Sequence, residues 1–124
     1  MKSKARKKLN WKKNINYVLF SSSFDNKIKN VSLAKSAIKK LKQTVLIELR
    51  NFQNTEINMM LNASDMLLVT SLSETGPIIV KEALACNCPV VSTDVGDVKE
   101  IIKNIENCYL TNYNSDQLSK IIKK

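Results

Sequence analysis

The sequence contains no histidine. That absence removes every mechanism that leans on imidazole: a Ser-His-Asp triad, a Cys-His pair, a histidine-ligated zinc or a histidine pH switch. Glycine and proline are scarce, with two of each, and no glycine-rich linker divides the chain. Consecutive apolar residues reach only four, as in Met66–Val69, against the roughly 18 that a membrane-spanning helix requires. Acidic residues are missing from the first thirteen positions, where seven bases stand: Lys2, Lys4, Arg6, Lys7, Lys8, Lys12 and Lys13.

That last absence accounts for most of the net charge of +9, because thirteen bases and eleven acids follow Lys13. The segment is expected to be a solvated arm or helix face. Trp11 is its only aromatic residue, so the stacking side chains of a single-strand binder are scarce and no nucleic-acid partner is expected. Peripheral contact with an anionic membrane through this segment is a secondary expectation. Leu9-Asn10-Trp11-Lys12 is not the apolar core of a secretory signal, and a cytoplasmic location is expected. The three cysteines are expected as buried thiols. Cys86, Cys88 and Cys108 could offer three sulfur ligands, but no second paired motif completes a set, and no metal is expected.

A chain of 124 residues with 44% apolar and 25% charged residues fits one globular domain. The alternation of short apolar runs with helical patterns points to parallel βαβ units. Strands are expected over residues 17–22, 44–49, 66–69, 89–92 and 108–111. Helices are expected over 31–42, 55–62, 78–86, 98–103 and 115–123. Val31, Ala34, Ala37, Ile38 and Leu41 recur at helical spacing opposite a lysine-rich face. Pro77 suits a first helical turn and Asn87 a helix end, with Asp97 and Ser115 as expected N-caps. The fold class is therefore α/β: a doubly wound, Rossmann-like, mainly parallel five-stranded sheet of order 2-1-3-4-5 with helices on both faces. Residues 1–16 form a basic lead-in and residues 17–124 the domain.

In such a sheet the ligand crevice opens at the carboxyl ends of strands 1 and 3, where the winding reverses. The loops there are Ser21–Asn30 and Thr70–Pro77. The second runs into a helix start, whose unpaired N–H groups and dipole favour an anion such as a diphosphate at Gly76–Ile79. Glu74 and Glu82, eight residues apart, could hold vicinal hydroxyls, since a carboxylate accepts two hydrogen bonds. Two plainer roles compete: Glu74 as a complement to the helix dipole, and Glu82 as a surface residue paired with a base.

Ser71 through Asp97 (SLSETGPIIVKEALACNCPVVSTDVGD), followed by Lys99-Glu100-Ile101-Ile102, resembles the signature region of the group-1, or family-four, glycosyltransferases. It includes the E-x7-E motif and the Pro89-Val90-Val91 strand. Asn62–Val69 resembles the segment that leads into that motif, and residues 17–42 the family's first strand, phosphate loop and helix. The resemblance implies the C-terminal, donor-binding half of a GT-B enzyme that transfers a sugar from a nucleotide diphosphate with retention and without a metal. It places Glu82 on the ribose hydroxyls and Glu74 on the donor sugar. It puts the backbone of Gly76, Pro77, Ile78 and Ile79, next to Ser73, toward the diphosphate, and Lys29 against charge on the leaving phosphate.

Several positions depart from the family pattern. Ser23 stands where an arginine is usual, and Thr75, Asn87 and Asp97 where glycines are common. The strand ending in a glycine-aspartate-glycine turn is missing, and base recognition would fall near Arg50–Phe52. The acceptor-binding N-terminal domain is not in the sequence, so a missing or separately encoded partner domain is expected beside the nucleotide sugar. The alternative function is a non-catalytic, donor-like scaffold module.

Overall fold

The computed structural model describes residues 2–20, 30–48, 54–71 and 78–123. Its elements alternate in chain order: α1 (Lys2–Leu9), β1 (Asn16–Phe20), α2 (Val31–Lys39), β2 (Thr44–Ile47), α3 (Asn54–Ala63), β3 (Met66–Val69), α4 (Ile78–Ala85), β4 (Val90–Thr93), α5 (Val98–Ile102), β5 (Tyr109–Thr111) and α6 (Ser115–Lys123). The five strands form one sheet in the order β2-β1-β3-β4-β5, and every neighbouring pair is parallel. This is the order that the alternation of strand and helix patterns predicts.

Strand side chains alternate between two cores, as the period of two requires. Val18, Phe20, Leu68 and Val91 cluster with Leu33, Ala34, Ala37 and Ile38 of α2 and with Leu118 of α6. Leu19, Leu67, Val69 and Val90 cluster on the opposite face with side chains of α3, α4 and α5. Central strands covered on both faces read as continuous apolar runs, which is why Met66–Val69 shows no polar alternation. Each fully buried Leu, Val or Phe side chain contributes about 1.5–3 kcal/mol relative to exposure.

The basic lead-in is built into this body. Ala5 and Arg6 are buried, and α1 packs against α3. Arg6 Nε donates to the carbonyl of Ala63 at 2.8 Å and Nη2 to Asp65 Oδ2 at 2.8 Å, while Nη1 reaches the carbonyls of Lys12 and Lys13 at 3.2 and 3.3 Å. The guanidinium lies 5.0 Å from the centre of the Tyr17 ring, which stacks on Trp11 at 4.4 Å. The expected solvated segment is thus solvated on one face only: Lys4, Lys7, Lys8, Lys12 and Lys13 are exposed, and Arg6 carries the contact with the sheet.

Element ends differ from expectation for local reasons. Helix α2 stops at Lys39 because a turn precedes β2, with Gln43 at φ 52°. Asp97 occupies the residue before α5, but its side chain makes no capping hydrogen bond. The cap of α6 is Asn114, whose Oδ1 accepts from the backbone N–H groups of Asp116 and Gln117 at 2.9 and 3.1 Å, so Ser115 is the first helical residue instead.

Candidate functional site

The sheet reverses its winding between β1 and β3, and the carboxyl ends of these strands are Phe20 and Val69. Two ties define this edge. Thr70 Oγ1 donates to the carbonyl of Asn30 at 2.9 Å, fixing the start of α2 against the end of β3. Asn30 sits in the left-handed region at φ 57° and ψ 55°, a conformation that asparagine adopts more readily than most residues. One residue further, the carbonyl of Ser71 accepts Thr93 Oγ1 at 2.8 Å and the Tyr113 hydroxyl at 3.0 Å. The Ser71 hydroxyl is itself buried and without a hydrogen-bond partner among the described residues.

Helix α4 is the next element after β3 in the chain. Val80 and Ala83 face the core and are fully buried, whereas Glu82 is half-buried and Lys81 exposed. Among the described residues Glu82 makes no salt bridge, which removes the paired surface role within them. Its charge is nevertheless felt one turn on: burial, and after it the negative charge of Glu82, pushes the Cys86 thiol above its ordinary pKa. Helix α4 ends at Ala85, and Asn87 takes φ 57°. Asparagine therefore meets the left-handed requirement that a glycine would meet there. Asp97, at φ −93°, needs no glycine.

The expected site residues divide sharply. Lys29, Ser73, Glu74, Gly76 and Pro77 lie outside the described residues, as do Ser23, Thr75 and Arg50–Phe52. Ile78 opens α4, Ile79 is partly buried against the core, and Glu82 lies one turn into the helix. The residue that follows Lys29, Asn30, is held at the winding reversal by Thr70. The sequence reading put Thr70 and Ser71 in the crevice loop without giving either a role, and it gave none to Thr93 or Tyr113. A hydroxyl within two residues of a strand's carboxyl end is the signal they share.

All three cysteines are free thiols, and among the described residues no three His, Cys, Asp or Glu side chains gather as a cation site. A groove of about 670 Å³ lies at the opposite pole of the sheet, lined by strand starts such as Asn16, Thr44 and Met66 and by Ile121 of α6. Ligands of open α/β sheets bind at the carboxyl ends, so this groove is not the expected crevice.

Comparison with known proteins adds to this geometry. Residues 47–124 match the family described as glycosyl transferases group 1. Comparison with curated proteins gives no match. Among solved structures, the chain is similar to WaaG, a glycosyltransferase involved in lipopolysaccharide biosynthesis, with a TM-score of 0.78 and 19% identity. It is similar to sucrose-phosphate synthase from Thermosynechococcus elongatus, with a TM-score of 0.87 and 18% identity. It is also similar to HepE from Anabaena, solved in complex with UDP and glucose, with a TM-score of 0.77 and 22% identity. Each likeness covers 98% of this chain but 40%, 38% and 41% of the respective partner. The chain thus spans about two-fifths of the proteins whose fold it shares.

Proposed function

This chain belongs to the group 1 glycosyl transferases, and from that premise we propose that it is the donor half of a retaining enzyme, binding a nucleotide diphosphate sugar for transfer of its glycosyl group. The observation that carries the reading is the family match itself, which spans both glutamates of the E-x7-E pair, Glu74 and Glu82. A further support is the half-buried position of Glu82, which makes no salt bridge among the described residues, on the helix that follows β3 in the chain.

In this reading Glu82 accepts hydrogen bonds from the ribose hydroxyls, and Glu74 contacts the donor sugar. The N–H groups at the start of α4 face the diphosphate, with Ser73 beside them, and Lys29 offsets charge on the departing phosphate. The chain's own residues bind and orient the donor. The acceptor is held by a second domain, as in two-domain enzymes with the reacting bond in the cleft.

Titration of the 124-residue chain with UDP-glucose, GDP-mannose and ADP-glucose tests the reading. Binding of one of them in the micromolar to millimolar range, weakened about tenfold or more in Glu82→Gln, is the expected result. Absence of binding at millimolar ligand, or equal binding by the variant, sinks it.

A further inference from the structure

We propose that the outer face of α1 docks on anionic phospholipid, a role independent of the donor reading above. Ala5 and Arg6 of this helix are buried, and Leu9 packs against the core. At about 100° per residue, Lys4, Lys7 and Lys8 fall within an arc of about 100° on the opposite side, and all three are exposed. Lys12 and Lys13 follow the helix and are exposed too. Residues 1–16 contain no acid. The neighbouring helix α3 contributes one, Glu56, and Asp65 beyond it is paired with Arg6.

A disordered basic arm gives up conformational freedom when it adsorbs to a surface. Here that ordering is already done by folding. Arg6 ties α1 to Ala63 and Asp65, and its Nη1 donates to the carbonyls of Lys12 and Lys13. The N–H of Lys12 donates to the Tyr17 hydroxyl at 2.9 Å. The lysines before and after the turn therefore share one anchor, and the positive charge is presented as a fixed face.

The chemistry of that face favours lipid over nucleic acid. Its one arginine, the residue that reads phosphates and bases in a bidentate fashion, is turned inward. Its one aromatic residue, Trp11, is stacked on Tyr17 and packed against the core, so it is not free to stack on a base. What remains outward is a set of ammonium point charges, which suits a fluid array of headgroups without fixed geometry. Lys4 and Lys8, one turn apart, line a notch of about 190 Å³ together with Ala5, Met59 and Asn62. Two cations beside a small, partly apolar recess match a phosphodiester on its glycerol. The apolar residues of α1, Ala5 and Leu9, face inward, so the contact is electrostatic adsorption rather than insertion. The anchor lies at the amino pole of the sheet, opposite the carboxyl ends of β1 and β3.

Flotation of the 124-residue chain with vesicles tests the proposal, using phosphatidylcholine alone and phosphatidylcholine with about 30 mol% phosphatidylglycerol at about 0.1 M salt. Wild type should float with the anionic vesicles only and be released at about 0.5 M salt, where charges are screened. A variant combining Lys4→Gln, Lys7→Gln, Lys8→Gln, Lys12→Gln and Lys13→Gln should bind at least about tenfold more weakly, since each lysine near such a surface contributes roughly fivefold. A control of equal net charge, with Lys39→Gln, Lys42→Gln, Lys99→Gln, Lys103→Gln and Lys120→Gln at exposed positions elsewhere, should stay within about threefold of wild type. Circular dichroism and thermal midpoints establish that both variants fold. No binding of anionic vesicles by wild type overturns the proposal, and so does equal loss in the two variants, which would show net charge acting without a face. Binding that persists at the higher salt overturns the electrostatic account. Tighter retention of a duplex or single-stranded oligonucleotide than of the vesicles, through the same five lysines, assigns the face to nucleic acid instead.

Discussion

The guanidinium of Arg6 and the carboxylate of Asp65 meet at 2.8 Å across 59 residues of sequence, and they fasten the first helix of the chain to the start of β3. The same carboxylate oxygen accepts the backbone N–H of Tyr17 at 2.8 Å, at the start of β1. One acid therefore joins α1, β1 and β3 at the amino pole of the sheet. The Arg6 side chain is 8% exposed and that of Asp65 28%, so the pair is only partly shielded from water.

Removing one partner leaves the other poorly solvated. Arg6→Ala should lower stability by about 2–4 kcal/mol, somewhat less than the cost of breaking a fully buried pair. Arg6→Lys should recover little, because one ammonium cannot reach Ala63, Asp65 and two further carbonyls together. Urea denaturation followed by circular dichroism measures both; a loss below about 0.5 kcal/mol for Arg6→Ala would refute the account.

The Cys86 thiol reports on Glu82. Burial is the larger cause of its raised pKa and the Glu82 charge the second. A raised thiol pKa means less thiolate at a given pH, so Glu82→Gln should bring the pKa part of the way back and speed alkylation near pH 8. Iodoacetamide labelling across pH 7–10, with Cys86 resolved by peptide mass spectrometry, gives the profile. An unchanged Cys86 profile in the variant would show that the two groups do not interact.

Asn87, Asn104 and Asn107 all sit at positive φ, which alanine tolerates poorly. Asn87→Ala should cost about 1 kcal/mol and Asn87→Gly close to nothing, since glycine enters this region without a Cβ penalty. Thermal midpoints rank the three proteins as glycine near wild type and alanine clearly lower. A midpoint for alanine equal to wild type would mean that the turn relaxes out of the left-handed region.

The sheet was legible in the sequence because its elements declare themselves locally. Val31–Ile38 shows a helical stripe, Met66–Val69 a strand buried on both faces, and each strand is followed by a crossover segment. The burial of helix α1 was illegible because its lysines mask a two-residue apolar face, and because Arg6 finds its partners at Ala63 and Asp65. No local pattern announces a contact of that separation. The cap of α6 was misplaced by one residue for a related reason: Ser115 and Asn114 both suit the role, and only geometry chooses between them.

The site was legible as letters more than as geometry. Glu82 could be named from its spacing to Glu74 and from the surrounding motif. The tie between Tyr113 and Ser71 could not, because its acceptor is a main-chain oxygen, which every residue possesses.

The position of β1 constrains the order in which this chain can fold as it is synthesised. Both neighbours of β1, namely β2 and β3, lie downstream in sequence, and Arg6 waits for Asp65. Until about residue 69 has emerged, the first strand has an incomplete set of partners and the basic helix has no anchor. A nascent chain paused before that point presents an incompletely paired apolar strand, Tyr17–Phe20, beside a concentrated positive charge. Early folding is then a matter of keeping that strand apart from others, and long-range parallel pairing makes the wait slow.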